Sequence, residues 1–248
     1  MEERLNKWLS QMGVCSRREA DRLIEAGKVL VDNRPASMGQ KVTPGQKVVC
    51  NGKMVRVDRS QRPRPVLLAV NKPKGIVCTT TDKDRAENIV DFLGYPERIY
   101  PVGRLDKHSE GLLLMTNQGD LVNKIMRSGN AHEKEYIVTI GKPVTEHCLE
   151  QMAGGIRLPE LDQVTRPCKV KKVERNTFSI ILTQGLNRQI RRMCEACGCQ
   201  VKRLVRVRIM NIRLGNLRTG AYRQITKEEY EELTGLLKDS SIKERKNR

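Results

Sequence analysis

The 248-residue chain carries 47 Lys and Arg against 29 Asp and Glu, a formal net charge of +18. So large a basic excess exceeds what solubility requires and points to a polyanionic partner, nucleic acid above all. Aromatic residues make up only 3% of the chain, which speaks against a single-strand binder built on stacking platforms. No apolar run reaches transmembrane length or forms a signal-peptide core, so a cytoplasmic protein with no membrane partner is expected.

The length suits one large domain and a small one. Eight cysteines lie scattered without paired spacing, and in a cytosolic chain they read as mostly buried thiols rather than disulfides. Cys194-x-x-Cys197-x-Cys199 lacks a fourth ligand at a sensible spacing for zinc, so no metal is expected.

Residues 1 to 58 read as a separate basic module. Ser16-Arg17-Arg18-Glu19 has the capping-box spacing, opening a helix with Ala20, Leu23 and Ile24 on one face that stops at Gly27. A strand at Val29–Val31, a turn at Asp32-Asn33, a strand at Val48–Cys50 and a hairpin turn at Asn51-Gly52 follow. Arg17 and Arg18 sit in the first helical turn, where the helix dipole favours anions rather than cations. With Arg22 one turn on, they suit a docked phosphate. Arg4 to Leu9, Gly13 to Ala20, Ile24 to Val29 and Val31-Asp32 together resemble the S4-type RNA-binding domain.

Residues 59 to 65 read as a polar linker. The second domain, 66 to 238, opens on an apolar strand at Val66–Val70, a basic turn at Asn71–Gly75 and a strand at Ile76–Cys78. A short helix is expected over Glu87–Leu93. Pro101 to Thr116 then presents Asp106 between two cations and two glycines, followed by Leu112–Met115, a short buried strand. A carboxylate on a tight loop anchored by a core strand is where a fold places chemistry. Asn117 is expected to cap a helix carrying Leu121, Val122 and Ile125, before a polar loop and a β-branched strand at Lys134–Ile140. A helix over 145–153, strands over 168–174 and 177–183, and a helix with an Ile190, Met193, Cys194, Cys197 stripe come next. Val201–Leu214 reads as strand, Thr226–Leu237 as a capped helix, and 239–248 as a frayed charged tail.

From 187 to 223 there are ten Lys and Arg against one acid, half the net charge in a seventh of the length. The second domain is therefore expected to handle RNA too. The residues themselves show neither a Walker loop nor a dinucleotide fingerprint nor HExxH, and only three histidines. An aspartate without cofactor leaves nucleophilic or general-base chemistry on the nucleotide itself. Glu110 and Glu135 are discounted as a second carboxylate, because neither sits in a comparably apolar setting.

Gly103-Arg104-Leu105-Asp106 followed by Ser109-Glu110-Gly111-Leu112-Leu113 resembles the signature of the RsuA-type pseudouridine synthases. Lys134-Glu135-Tyr136 and Gly185 to Met193 match that family's second and third motifs in order and spacing. Residues 130 to 136 and 185 to 195 resemble its RluF branch, which acts on large-subunit ribosomal RNA. The resemblance implies an α/β (α+β) catalytic domain with a mixed, mainly antiparallel sheet behind an S4-like domain. It implies a monomer that isomerises one uridine of 23S ribosomal RNA without cofactor, on free RNA or an assembling large subunit, with transfer RNA a further candidate substrate. Asp106 would be nucleophile or base, Tyr136 would stack on the base, and Arg191 would pair with Asp106 and aim it. Arg104 would hold the flipped nucleotide or its neighbouring backbone, Ile190 would line the substrate site, and Arg188 and Arg192 would contact phosphates. The rival reading is a ribosomal-RNA-binding or ribosome-assembly factor on a degenerate catalytic fold.

Overall fold

The computed structural model describes residues 2–55, 64–79, 86–238 and 240. They form two compact units, one running to Pro65 and including Pro96–Arg98 and Asn117–Gly119, the other built from Val66 onward. Most of the expected linker, and the expected charged tail apart from Ser240, lie outside the described residues.

The first unit contains β1 (Glu3–Arg4), α1 (Leu5–Gln11), α2 (Arg17–Glu25), β2 (Val29–Val31), β3 (Arg34–Pro35), β4 (Lys41–Val42), β5 (Val48–Cys50) and β6 (Lys53–Val55). Ser16 Oγ accepts from the Glu19 amide at 3.1 Å, so half of the capping box forms. The other half does not: the Glu19 carboxylate turns to Arg22 at 3.1 Å instead of back to Ser16. Asp32 and Asn33 both take positive φ, 50° and 64°, which lets a two-residue turn join β2 to β3. Asn51-Gly52 does the same between β5 and β6. Helices α1 and α2 bury Leu5, Trp8, Leu9, Ala20 and Ile24 against β2 and β5.

The second unit contains β7 (Leu67–Lys72), α3 (Ile89–Leu93), β8 (Tyr100–Val102), β9 (Glu110–Thr116), α4 (Gly119–Met126), β10 (Lys134–Ile140) and α5 (Glu146–Gly154). After these come β11 (Arg157–Leu158), β12 (Gln163–Val164), β13 (Lys169–Glu174), β14 (Thr177–Leu182) and α6 (Gln189–Ala196). The chain closes with β15 (Val201–Ile209), β16 (Ile212–Arg213), β17 (Tyr222–Gln224) and α7 (Lys227–Leu236). A nine-stranded sheet runs β13-β14-β10-β15-β9-β7-β17, with β16 on β15 and β8 on β9. All its pairings are antiparallel except β15 with β9, so the sheet is mixed and mainly antiparallel. Leu112 and Leu114 pack with α4 and α7, while Leu113 and Met115 pack towards α3. Both faces of β9 are covered, which explains its unbroken apolar run.

Several expectations need correction. Strand β7 continues to Lys72, because Asn71 exchanges backbone hydrogen bonds with Ala221 and Gly220 where a turn was expected. Ile76–Cys78 is no strand but a single bridge from Val77 to Asn88. Helix α3 starts only at Ile89, because Asn88 Oδ1 caps the amides of Val90 and Asp91. Helix α4 starts at Gly119, one residue too late for Asn117 to stand at its cap. Val201–Leu214 is broken at Met210, whose φ of 52° turns β15 back on itself as β16. Only four of the eight cysteines are buried; the others are half-buried.

Candidate active site

The end of β8 and the start of β9 bracket the loop that carries Asp106. Gly103 takes φ 76° at its entrance. Inside the loop Ser109 N donates to Asp106 O at 3.0 Å, closing a turn around the half-buried aspartate. The flanking segment 75–78 ties it from the side: Gly75 N donates to Lys107 O at 2.8 Å, and Leu105 N to Cys78 Sγ at 3.4 Å. Gly111 faces the backbone of β15, where a Cβ would lie 2.4 Å from Arg206 O. No other residue permits the parallel strands to meet so closely.

Strand β10 brings Tyr136 directly opposite Arg206 of β15. The pairing slips there, because Glu135 faces Arg208 while Tyr136 faces Arg206, leaving Val207 as an unpaired extra residue. This bulge sends the neighbouring arginines to opposite faces. Arg208 holds Glu133 at 3.0 Å and Glu135 at 2.8 Å, whereas Arg206 lines the same cavity as Tyr136. Glu135 is thereby engaged away from Asp106, and Glu110 holds Arg203 at 2.7 Å.

Helix α6 enters through Arg188, which stands at the N-cap in the left-handed region (φ 51°) with no side-chain cap. Gln189 Oε1 accepts from Leu186 N at 3.1 Å and fixes that turn. Arg191, two residues further on, reaches back to the Asp106 loop, donating through Nη2 to His108 O at 2.9 Å and Ser109 Oγ at 3.3 Å. Among the described residues no hydrogen bond or ion pair joins Arg191 to Asp106: the guanidinium holds the loop through His108 O and Ser109 Oγ instead. Burial pulls the Arg191 pKa below its usual value and Arg188 adds to this, while the Asp106 charge opposes both.

These segments enclose a cavity of about 920 Å³. It brings together Arg104, Asp106, Tyr136, Arg188, Ile190 and Arg191. Arg192 is not among its lining; its guanidinium pairs with Glu160 and donates to Asn187 O at 3.0 Å. Arg17, Arg18 and Arg22 stand exposed on α2 of the first unit. The basic stretch 187–223 is a smaller free footprint than its count suggests. Arg206 is 1% exposed, and Arg192, Arg203, Arg208 and Arg223 each hold a carboxylate.

The site also holds two buried cations that the expected site residues did not include, Lys134 in the cavity wall and Lys72 outside it. Lys134 is 5% exposed, and burial, with Arg206 adding to it, pulls its amine down to about 8. Lys72, fully buried behind the loop, donates to Pro73 O at 2.7 Å and Ser109 O at 2.9 Å. Its pKa is lowered by burial, with Arg206 adding to this and the charges of Asp106 and Glu110 opposing it. Gln184 lines the same cavity, and its Nε2 is buried without a partner among the described residues.

One carboxylate, one tyrosine and a ring of cations within a cavity of nucleotide size are the apparatus of a base-modifying RNA enzyme. The chain belongs to the RNA pseudouridylate synthase family, whose model matches residues 66–196, and the S4 domain model matches residues 3–48. It is 51% identical to the dual-specificity RNA pseudouridine synthase RluF of Escherichia coli (strain K12), over 96% of this chain and 80% of that one. It is 36% identical to ribosomal large subunit pseudouridine synthase B of Bacillus subtilis (strain 168), over 94% of this chain and 96% of that one. A crystal structure of a pseudouridylate synthase superposes with a TM-score of 0.68 at 27% identity, covering 93% of this chain and 99% of that one.

Proposed function

We propose that this protein, an RNA pseudouridine synthase, isomerises a specific uridine of 23S ribosomal RNA to pseudouridine, with Asp106 as the reacting group. The observation that supports it most is the convergence of Asp106, Tyr136 and Arg191, drawn from three distant segments, on one cavity. The target uridine leaves its stack at a cost of a few kcal/mol, about what a basic surface can offset. Asp106 takes up the sugar as the C1′–N1 bond opens, through C1′ itself or through the 2′ proton. The uracil turns within the cavity, with Tyr136 against its face, and rejoins C1′ through C5. The C5 proton leaves and N1 is protonated, so atoms balance without a cofactor. Arg191 holds the loop that aims Asp106, and Arg104 and Arg188 take the RNA at the cavity mouth. Arg17, Arg18 and Arg22 take phosphates through the S4 unit. The name of the RluF relative fits a second RNA class, for which transfer RNA is the candidate.

The test is tritium release from ribosomal RNA labelled at uridine C5. The full chain should release tritium and leave pseudouridine at a fixed position in 23S RNA. Tight binding with no release would favour the rival reading, an RNA-binding or assembly factor.

A further inference from the structure

Arg206 is among the largest wholly buried side chains of the described residues and has no carboxylate partner among them. Its Nε donates to Leu112 O at 2.7 Å and its Nη1 to Arg104 O at 3.4 Å. These two carbonyls flank the Asp106 loop, so Arg206 braces the loop at both ends. Its Nη2, however, is buried with no acceptor among the described residues, and the side chain lines the cavity directly across the strands from Tyr136. A buried, charged N–H left without an acceptor is costly in a resting protein. It is favourable where a ligand brings an acceptor, more so if that acceptor gains negative charge during the reaction.

We infer that Arg206 Nη2 donates to a carbonyl oxygen of the flipped uracil and stabilises the charge that the base acquires as it departs. This rests on the pseudouridine-forming reading of the cavity. When the C1′–N1 bond breaks, its electron pair stays on N1 and spreads over O2 and O4, while Asp106 takes up the sugar. Rejoining through C5 withdraws that charge: the pair forms the C5–C1′ bond, the C5 proton is lost and N1 gains one. Arg206 thus acts on the short-lived separated state rather than on the bound uridine, with Lys134 adding to the positive potential.

Leaving-group dependence separates this role from bracing alone. Single-turnover cleavage of the target's C1′–N1 bond is measured with RNA carrying uridine or 5-fluorouridine; the fluorine stabilises the departing anion and, leaving no C5 proton to lose, holds that reaction at the C5-linked fluorinated base. Arg206→Met should slow the uridine reaction by about 100-fold or more. It should slow the 5-fluorouridine reaction at least about tenfold less, since the base then needs less help. Arg206→Lys keeps a cation and should fall between. An equal loss on both RNAs, in variants with native circular dichroism, would overturn the inference and leave Arg206 a brace, as would loss of the fold in both variants. If the unaltered protein makes no pseudouridine, the parent reading fails instead.

Discussion

At the scale of single residues, the cavity joins one carboxylate to several cations that the fold has taken out of water. Lys134 is the clearest case, because burial holds its amine at about 8, well below the usual lysine value of 10.5. The unfolded chain therefore binds that proton more tightly than the native state between about pH 8 and 10.5. Stability rises with pH through that window, and the full cost of the buried cation is felt below it. Lys134→Met removes the cost. Its stability relative to the unaltered chain, from urea midpoints, should be more favourable at pH 7 than at pH 10.5 by about 3 kcal/mol. A pH-independent difference would show that Lys134 keeps its proton as readily in the fold as outside it. Asp106, Tyr136, Ile190 and Arg191 were legible because motifs carry them. Lys72 and Arg206 were not, and the burial of Lys134 was hidden although a motif carries it, because a cation in a sequence reads as surface. Only the sheet register reveals which alternate residue turns inward.

At the scale of elements, legibility followed the strength of the local signal. Strand β10 lies where its β-branched run places it, and α7 is capped by Thr226 in a complete capping box with Glu229. The two-residue strands and the three-residue β17 are too short to show a periodicity, and the break at Met210 interrupts a stretch rich in β-branched residues. Their positions come from long-range pairing. The close meeting of β9 and β15 is the element-level feature the site depends on most. Gly111→Ala, at φ 102° and with its new Cβ against Arg206 O, should lose about 3 kcal/mol or more in urea unfolding. Gly103→Ala meets only the flexible end of Met126, and should lose about 1–2 kcal/mol. Equal losses would mean that the strand contact is no tighter than the loop.

At the scale of the molecule, the charge of +18 divides between cations that work inside the fold and those free to meet RNA. Arg17, Arg18 and Arg22 belong to the second group; the Arg22 pair with Glu19 is exposed and worth little. Replacing all three by Gln in the full chain should weaken RNA binding. The slope of log affinity against log salt should fall by about 2. Turnover at saturating RNA should be unchanged. An unaltered slope would show that RNA does not reach this helix.

The measurement that bears most directly on the account is pseudouridine formation by Asp106→Asn, which changes one oxygen to nitrogen on a loop held by backbone contacts. The variant should fold, bind ribosomal RNA with near-native affinity, and form no pseudouridine above background. Formation at a rate close to that of the unaltered chain would contradict the assignment of Asp106 as the reacting group.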